Sequence, residues 1–131
     1  MAETNSAKKV VLIIEDDALL LKFYERAFNV HGLDVLLADD GEKGLKIIKE
    51  RKPDFVILDI LMPNIDGIEV LKKIREDKGS KDLPVMIVTN YDTPEYHKSA
   101  EELGVFDYIL KVGIDPLELV KRVKSFLDEK N

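Results

Sequence analysis

Five short apolar runs, rich in β-branched residues, alternate along this chain with five longer segments of helical spacing, and few folds accommodate that order. The runs occupy residues 10–14, 35–38, 55–58, 85–88 and 108–110. Their unbroken hydrophobicity marks strands buried on both faces. The segments between them carry helix start and stop signals. The first holds Leu19, Phe23, Ala27 and Val30 and ends at Gly32, a natural C-terminal stop. The second begins after Asp39, with Glu42 three residues on as a capping box, and carries Leu45 and Ile48. The third starts at Asp66, with Glu69 three residues on, and carries Ile68, Leu71 and Ile74. The fourth starts at Thr93 and Pro94 and stops at Gly104, so proline opens the helix and glycine lies just past its end. The fifth starts at Asp115 and Pro116 and carries Leu119, Val120, Val123 and Leu127.

Strand–helix–strand units give parallel neighbours with right-handed crossovers, and their helices cover both faces of the sheet. The expected fold class is therefore α/β, a (βα)5 doubly wound parallel sheet of five strands. Ligands in such folds bind outside the carboxyl ends of the strands, where the winding direction reverses.

Composition narrows the function. A chain of 131 residues, 45% apolar and 35% charged, suits one globular domain. The net charge of −6 argues against a general nucleic-acid or membrane-surface binder, because phosphates repel an acidic surface. With no cysteine there is no disulfide framework, thiolate nucleophile or cysteine metal site. No apolar run approaches the ~20 residues that span a bilayer. The N-terminal MAETNSAKK lacks the apolar core of a signal peptide. Residues 1–8 are expected to be a flexible leader and 9–131 a single domain, cytoplasmic, with no direct nucleic-acid contact and no membrane insertion.

The chemistry gathers at the strand ends. The first strand runs VVLII straight into Glu15, Asp16 and Asp17. The third ends in Asp59, the fourth in Thr89 and the fifth in Lys111. In a parallel sheet these ends share one edge, so residues almost 100 positions apart converge. Two carboxylates ~4 Å apart repel by about 4 kcal/mol at an effective dielectric of 20. Either one takes a proton or a divalent cation binds. An all-oxygen set with open positions suits Mg²⁺, which keeps several waters and accepts phosphate oxygens. Taken singly, the acids read as helix caps, Thr89 as a strand-end hydroxyl and Lys111 as a surface lysine; Asp17 is expected to be a cap. His31 and His97 lack partners at metal-ligand or triad spacing and read as surface or helix-end residues. Among Tyr24, Tyr91, Tyr96 and Tyr108 at least one core ring is expected.

From Lys9 to about Leu127 the sequence resembles the receiver domain of two-component response regulators. The strongest piece is DILMPNIDG at residues 59–67, which is similar to the family's phosphoacceptor turn, Asp-x-x-Met-Pro-x-x-Asp-Gly. The resemblance implies the sheet order 2-1-3-4-5. It implies that Asp59 takes a phosphoryl group from a histidine kinase or phosphotransfer protein. Asp16 would be the direct ligand of Mg²⁺ (or Mn²⁺), with Glu15 acting mainly through a water and the main-chain carbonyl of Leu61 adding a ligand. Thr89 and Lys111 would hold phosphoryl oxygens. Tyr108 would be the switch aromatic that turns inward when Thr89 moves. The surface of the fourth helix, fifth strand and fifth helix would be read by an unknown downstream protein or by a second copy in a homodimer. As a stand-alone receiver with no output domain after Asn131, the chain would be a signalling phosphoacceptor that assists only its own phosphorylation and dephosphorylation, not an enzyme acting on other substrates.

Four positions depart from the family pattern. Lys111 precedes Val112 rather than proline. A cis bond there costs about 3 kcal/mol, so a trans bond, a different path for residues 112–115 and a displaced Lys111 are expected. Asn90, in place of a small residue, is expected to narrow the pocket. Leu61 and Tyr91, two residues beyond Asp59 and Thr89, are expected to hinder water and give a slowly decaying phosphoryl form. Glu15 replaces the usual Asp. A phosphorylation-independent adaptor is the alternative function. A metal-dependent phosphatase is disfavoured because Leu61 stands where a general acid would be needed. No loop is built to wrap a flavin phosphate.

Overall fold

All five apolar runs become strands, since backbone N–H and C=O groups in buried segments need partners and a sheet supplies them. The computed structural model describes residues 8–129, so the expected leader lies, apart from Lys8, outside the described residues. In chain order the elements are β1 (Val10–Ile14), α1 (Ala18–Val30), β2 (Asp34–Ala38), α2 (Gly41–Arg51), β3 (Phe55–Leu58), α3 (Gly67–Glu76), β4 (Val85–Thr89), α4 (Pro94–Glu102), β5 (Asp107–Leu110), a single 3-10 turn (Lys111–Gly113) and α5 (Pro116–Glu129). Every pairing is parallel and the order is β2-β1-β3-β4-β5, as the resemblance implies. The winding reverses between β1 and β3.

Two core layers sandwich the sheet. On one face Val11, Ile13, Phe55, Ile57, Met86 and Val88 pack under α1 and α5. On the other Leu12, Ile14, Val56, Leu58, Val85 and Ile87 pack under α2, α3 and α4. Successive side chains of one strand thus enter opposite layers, and for that reason the central strands are apolar without alternation. The edge strands β2 and β5 are only partly buried.

Helix ends follow local side-chain chemistry. Asp17, Asp66 and Thr93 accept hydrogen bonds from the first-turn N–H groups of α1, α3 and α4, and Asp115 accepts from Glu118 N–H at 2.8 Å. Gly32 (φ +86) and Gly104 (φ +71) take the left-handed turn that ends α1 and α4. The cap of α2 is displaced by one residue from the expected place. Asp40 accepts from Lys43 N–H at 2.8 Å, while Asp39 pairs with the Lys43 ammonium.

The buried face of α1 is also not the expected one. Leu21, Tyr24 and Phe28 face the core, whereas Leu19, Phe23 and Val30 are 62%, 54% and 72% exposed, and of the expected stripe Ala27 packs partly buried against the core. The helix ALLLKFYERAFNV carries two apolar stripes at helical spacing, and the sheet covers one of them.

Candidate functional site

β1 and β3 are adjacent, so the acids after β1 meet the acid after β3 at the carboxyl edge. Glu15, Asp16 and Asp59 each offer a carboxylate oxygen, and these atoms lie within 4.8 Å of one another. Glu15 and Asp59 are buried, at 2% and 6% exposure, while Asp16 is exposed. From the end of β5, Lys111 Nζ reaches 2.6 Å from Glu15 Oε1 and 2.9 Å from Asp59 Oδ2. Asp59 Oδ1 accepts from Ile60 N–H at 2.7 Å and Glu15 Oε2 from Asp17 N–H at 2.9 Å. One ammonium therefore answers two buried carboxylates. Asp16, among the described residues, has neither hydrogen bond nor ion pair.

The electrostatics follow from burial. Burial pushes the Glu15 carboxyl above the usual carboxylate range, aided by the charge of Asp59 and opposed by hydrogen bonds from Lys111 and Asp17. For Lys111, burial acts downward, yet the hydrogen bonds to Glu15 and Asp59 outweigh it and the ammonium is held above its ordinary value. Beneath the cluster Tyr24, 3% exposed, is the expected core ring. Burial pushes its phenol up to about 12, with the charges of Lys111, Glu15 and Asp59 near enough to act on it.

Lys111 is not displaced. No described peptide bond is cis, as expected, but the 3-10 turn begins at Lys111 itself. The residue's main chain is set by β5, its long stem spans to the acids, and Val112 stands out at 86% exposure. Thr89 is fully buried at the end of β4, and its Oγ1 accepts from Tyr91 N–H at 3.3 Å. Asn90, Leu61 and Tyr91 are exposed. Tyr108, half-buried on β5, donates its hydroxyl to the main-chain carbonyl of Tyr91. Burial, then the charge of Asp92, pushes the Tyr108 phenol up to about 12.

Two supporting residues escaped the sequence reading. A Cβ on Gly67 would lie 2.1 Å from the carbonyl oxygen of Asp59 and 2.8 Å from Ile60 Cα, so the start of α3 presses on the backbone that carries Asp59. Gly67 N–H donates to Ile60 O at 2.7 Å. The DG pair of the motif carried this signal. Arg75 donates to the carbonyls of Leu103 (2.6 Å), Leu83 (2.7 Å), Lys81 and Gly104 (both 3.1 Å). It ties α3 to the ends of the two loops that lead into β4 and β5, and nothing in its sequence neighbourhood marks it.

The donor set fits a hard divalent cation. It is all oxygen, two of its members repel within a buried pair, and the third is open to solvent. The model of the response regulator receiver domain matches residues 11–124. The chain belongs to the response regulator receiver domain family. Relatives of this receiver include the probable transcriptional regulator ycf27 of Porphyridium aerugineum, 35% identical over 120 residues, which covers 92% of this chain and 48% of that protein. The alkaline phosphatase synthesis transcriptional regulatory protein PhoP of Bacillus subtilis is 34% identical over 119 residues, 91% of this chain and 48% of its own. The receiver thus spans about half the length of the curated relatives it matches. A CheY-like response regulator receiver domain protein from Methanospirillum hungatei superposes with a TM-score of 0.87 at 27% identity, covering 94% of this chain and 96% of the other. Among the described residues no helix is long and apolar enough to cross a membrane.

Proposed function

We propose that this receiver accepts a phosphoryl group on Asp59, with a divalent cation held by Asp16, Asp59, Glu15 and the main-chain carbonyl of Leu61, and switches a protein–protein surface in response. The observation that carries the reading is the buried Asp59 carboxylate, within 4.8 Å of two further acids and bonded to Lys111. When bound, Mg²⁺ or Mn²⁺ supplies charge neutralisation for the transferring oxygens. An Asp59 oxygen attacks phosphorus. The P–N bond to the donor histidine breaks, and the imidazole leaves with the electron pair. Lys111 then trades its carboxylate partners for a phosphoryl oxygen, and Thr89 donates its hydroxyl to another. The acyl phosphate replaces the single charge of the Asp59 carboxylate with a phosphoryl group that bears close to two, a net gain of about one negative charge and new acceptor oxygens beside Lys111, which biases an existing two-state equilibrium at Thr89 and Tyr108.

The receiver acts on no external substrate, since Leu61 offers no acid for a leaving group. Leu61 and Tyr91, exposed beside the site, shield the acyl phosphate from water and lengthen its life. The donor is a cytoplasmic histidine kinase or phosphotransfer protein. Leu19 and Phe23 on α1, with Val112 and Leu117 near the start of the neighbouring α5, give it an apolar rim to rest on. The face of α4, β5 and α5 passes the signal to a downstream protein, to a further domain such as the longer relatives have room for, or to a second copy.

Intact mass after incubation with a small phosphodonor and Mg²⁺ tests this. A single adduct, labile to hydroxylamine and absent both in Asp59→Ala and without metal, is the expected result. A folded protein that binds Mg²⁺ and takes no phosphoryl group overturns it in favour of a phosphorylation-independent adaptor.

A further inference from the structure

His97 stands on α4 at the cleft between that helix and β5. Its ring stacks on the ring of Tyr108, with centroids 3.8 Å apart and planes at 27°. Its Nε2 meets Asp92 Oδ1, from the loop that enters α4. On the other side of the stack the Tyr108 hydroxyl donates to Tyr91 O, and Tyr91 N–H donates to Thr89 Oγ1 at 3.3 Å. Contacts therefore run without a break from a fully buried hydroxyl at the phosphoacceptor edge to an imidazole that is 47% exposed.

We infer that His97 is a positioning residue for Tyr108, and that the charge state of its imidazole sets how firmly Tyr108 is held on Tyr91 and Thr89. The inference rests on the proposed reading of Thr89 and Tyr108 as the pair that responds to phosphorylation. Imidazole is the side chain whose charge ordinarily changes between about pH 5 and 8. The imidazolium gains an ion pair with Asp92 and a cation–π attraction to the phenol face it covers. The neutral ring keeps only the stacking and, in the tautomer protonated at Nε2, a hydrogen bond donated to the Asp92 carboxylate, without the ion pair or the cation–π attraction. Acid therefore tightens the stack and holds Tyr108 where it is seen, and alkali loosens it. The other charged groups lining the cleft are Lys98 and Glu101 on α4 and Asp107 on β5. Asp107 is already engaged by Arg122 at 3.1 Å and by Tyr108 N–H at 2.8 Å, which leaves Asp92 as the carboxylate on the imidazole. The pair is exposed, so the coupling weakens with added salt.

Ring-carbon NMR of the unphosphorylated chain across about pH 5 to 8 tests the proposal without requiring phosphorylation. The expected result is that Tyr108 ring signals move along the His97 titration curve, and that the Tyr91 amide follows. In His97→Gln this movement is lost while the His31 titration is unchanged. In Asp92→Asn the pH-dependent movement of the Tyr108 signals shrinks. Tyr108 signals that stay still through the His97 titration, or that keep moving in His97→Gln, overturn it. A parallel series follows the rate at which acetyl phosphate labels Asp59. A wild-type to His97→Gln rate ratio that changes with pH extends the coupling to Thr89, and a constant ratio overturns that extension. No labelling at any pH, with the pH-dependent movement of the Tyr108 ring signals present, overturns the phosphoacceptor reading and leaves the His97–Tyr108 coupling standing.

Discussion

At the scale of single residues, the site depends on atoms that do no chemistry. Gly67 lets α3 begin against the carbonyl of Asp59, and the colliding atom in a substituted chain would be backbone, which cannot rotate away. Gly67→Ala is expected to cost about 3 kcal/mol or more by overpacking and to move Asp59 off its partners. A thermal melt paired with a Mg²⁺ titration checks both effects; wild-type stability with intact Mg²⁺ affinity would remove Gly67 from the account. Tyr24 supplies the alkaline test. Its phenol ionises near pH 10 in the unfolded chain and at about 12 in the fold, so the native state holds the proton longer. Stability from this group is fully present below the unfolded value and is lost as pH rises through the folded one. Tyr24→Phe is expected to remove roughly 2–3 kcal/mol of that loss between pH 10 and 12, read as a flatter alkaline limb in urea melts.

Among the elements, α1 carries two apolar stripes, of which the sheet covers one. Phe28 is fully buried and Phe23 is 54% exposed, though they lie five residues apart on the same helix. Phe28→Ala is expected to cost about 3–5 kcal/mol. Phe23→Ser is expected to leave stability within about 0.5 kcal/mol. If the proposed donor rests on α1, labelling by a phosphohistidine protein is expected to slow, while labelling by acetyl phosphate is not. Equal rates with both donors would show that α1 takes no part in docking.

Across the whole molecule, the decisive contact joins three strand ends. Lys111 at the end of β5 balances Glu15 after β1 and Asp59 after β3. Removal of a buried partner leaves uncompensated charge, so Lys111→Met is expected to lose about 3 kcal/mol in metal-free buffer. A divalent cation then has more repulsion to relieve. The rise in melting temperature on adding Mg²⁺ should accordingly be larger in Lys111→Met than in wild type. An equal or smaller rise would mean that Lys111 and the cation do not answer the same carboxylates.

Local chemistry alone determined the α/β alternation, the caps at Asp17, Asp66, Thr93 and Asp115, the stops at Gly32 and Gly104, and the gathering of Glu15, Asp16, Asp59, Thr89 and Lys111 at one edge. Periodicity, turn preference and strand polarity are properties of neighbours along the chain, and a parallel sheet converts them directly into position. Tertiary structure decided what neighbours could not. The sheet chose Leu21, Tyr24 and Phe28 over the rival stripe of α1, because either stripe meets the helical period and only one meets the strands. It kept Lys111 on the acids despite Val112, because electrostatic partners from two other strands outweigh the loss of a favoured local turn. It also recruited Gly67 and Arg75, whose contacts with Asp59 and with carbonyls as far along the chain as Gly104 exist only once distant segments close on each other.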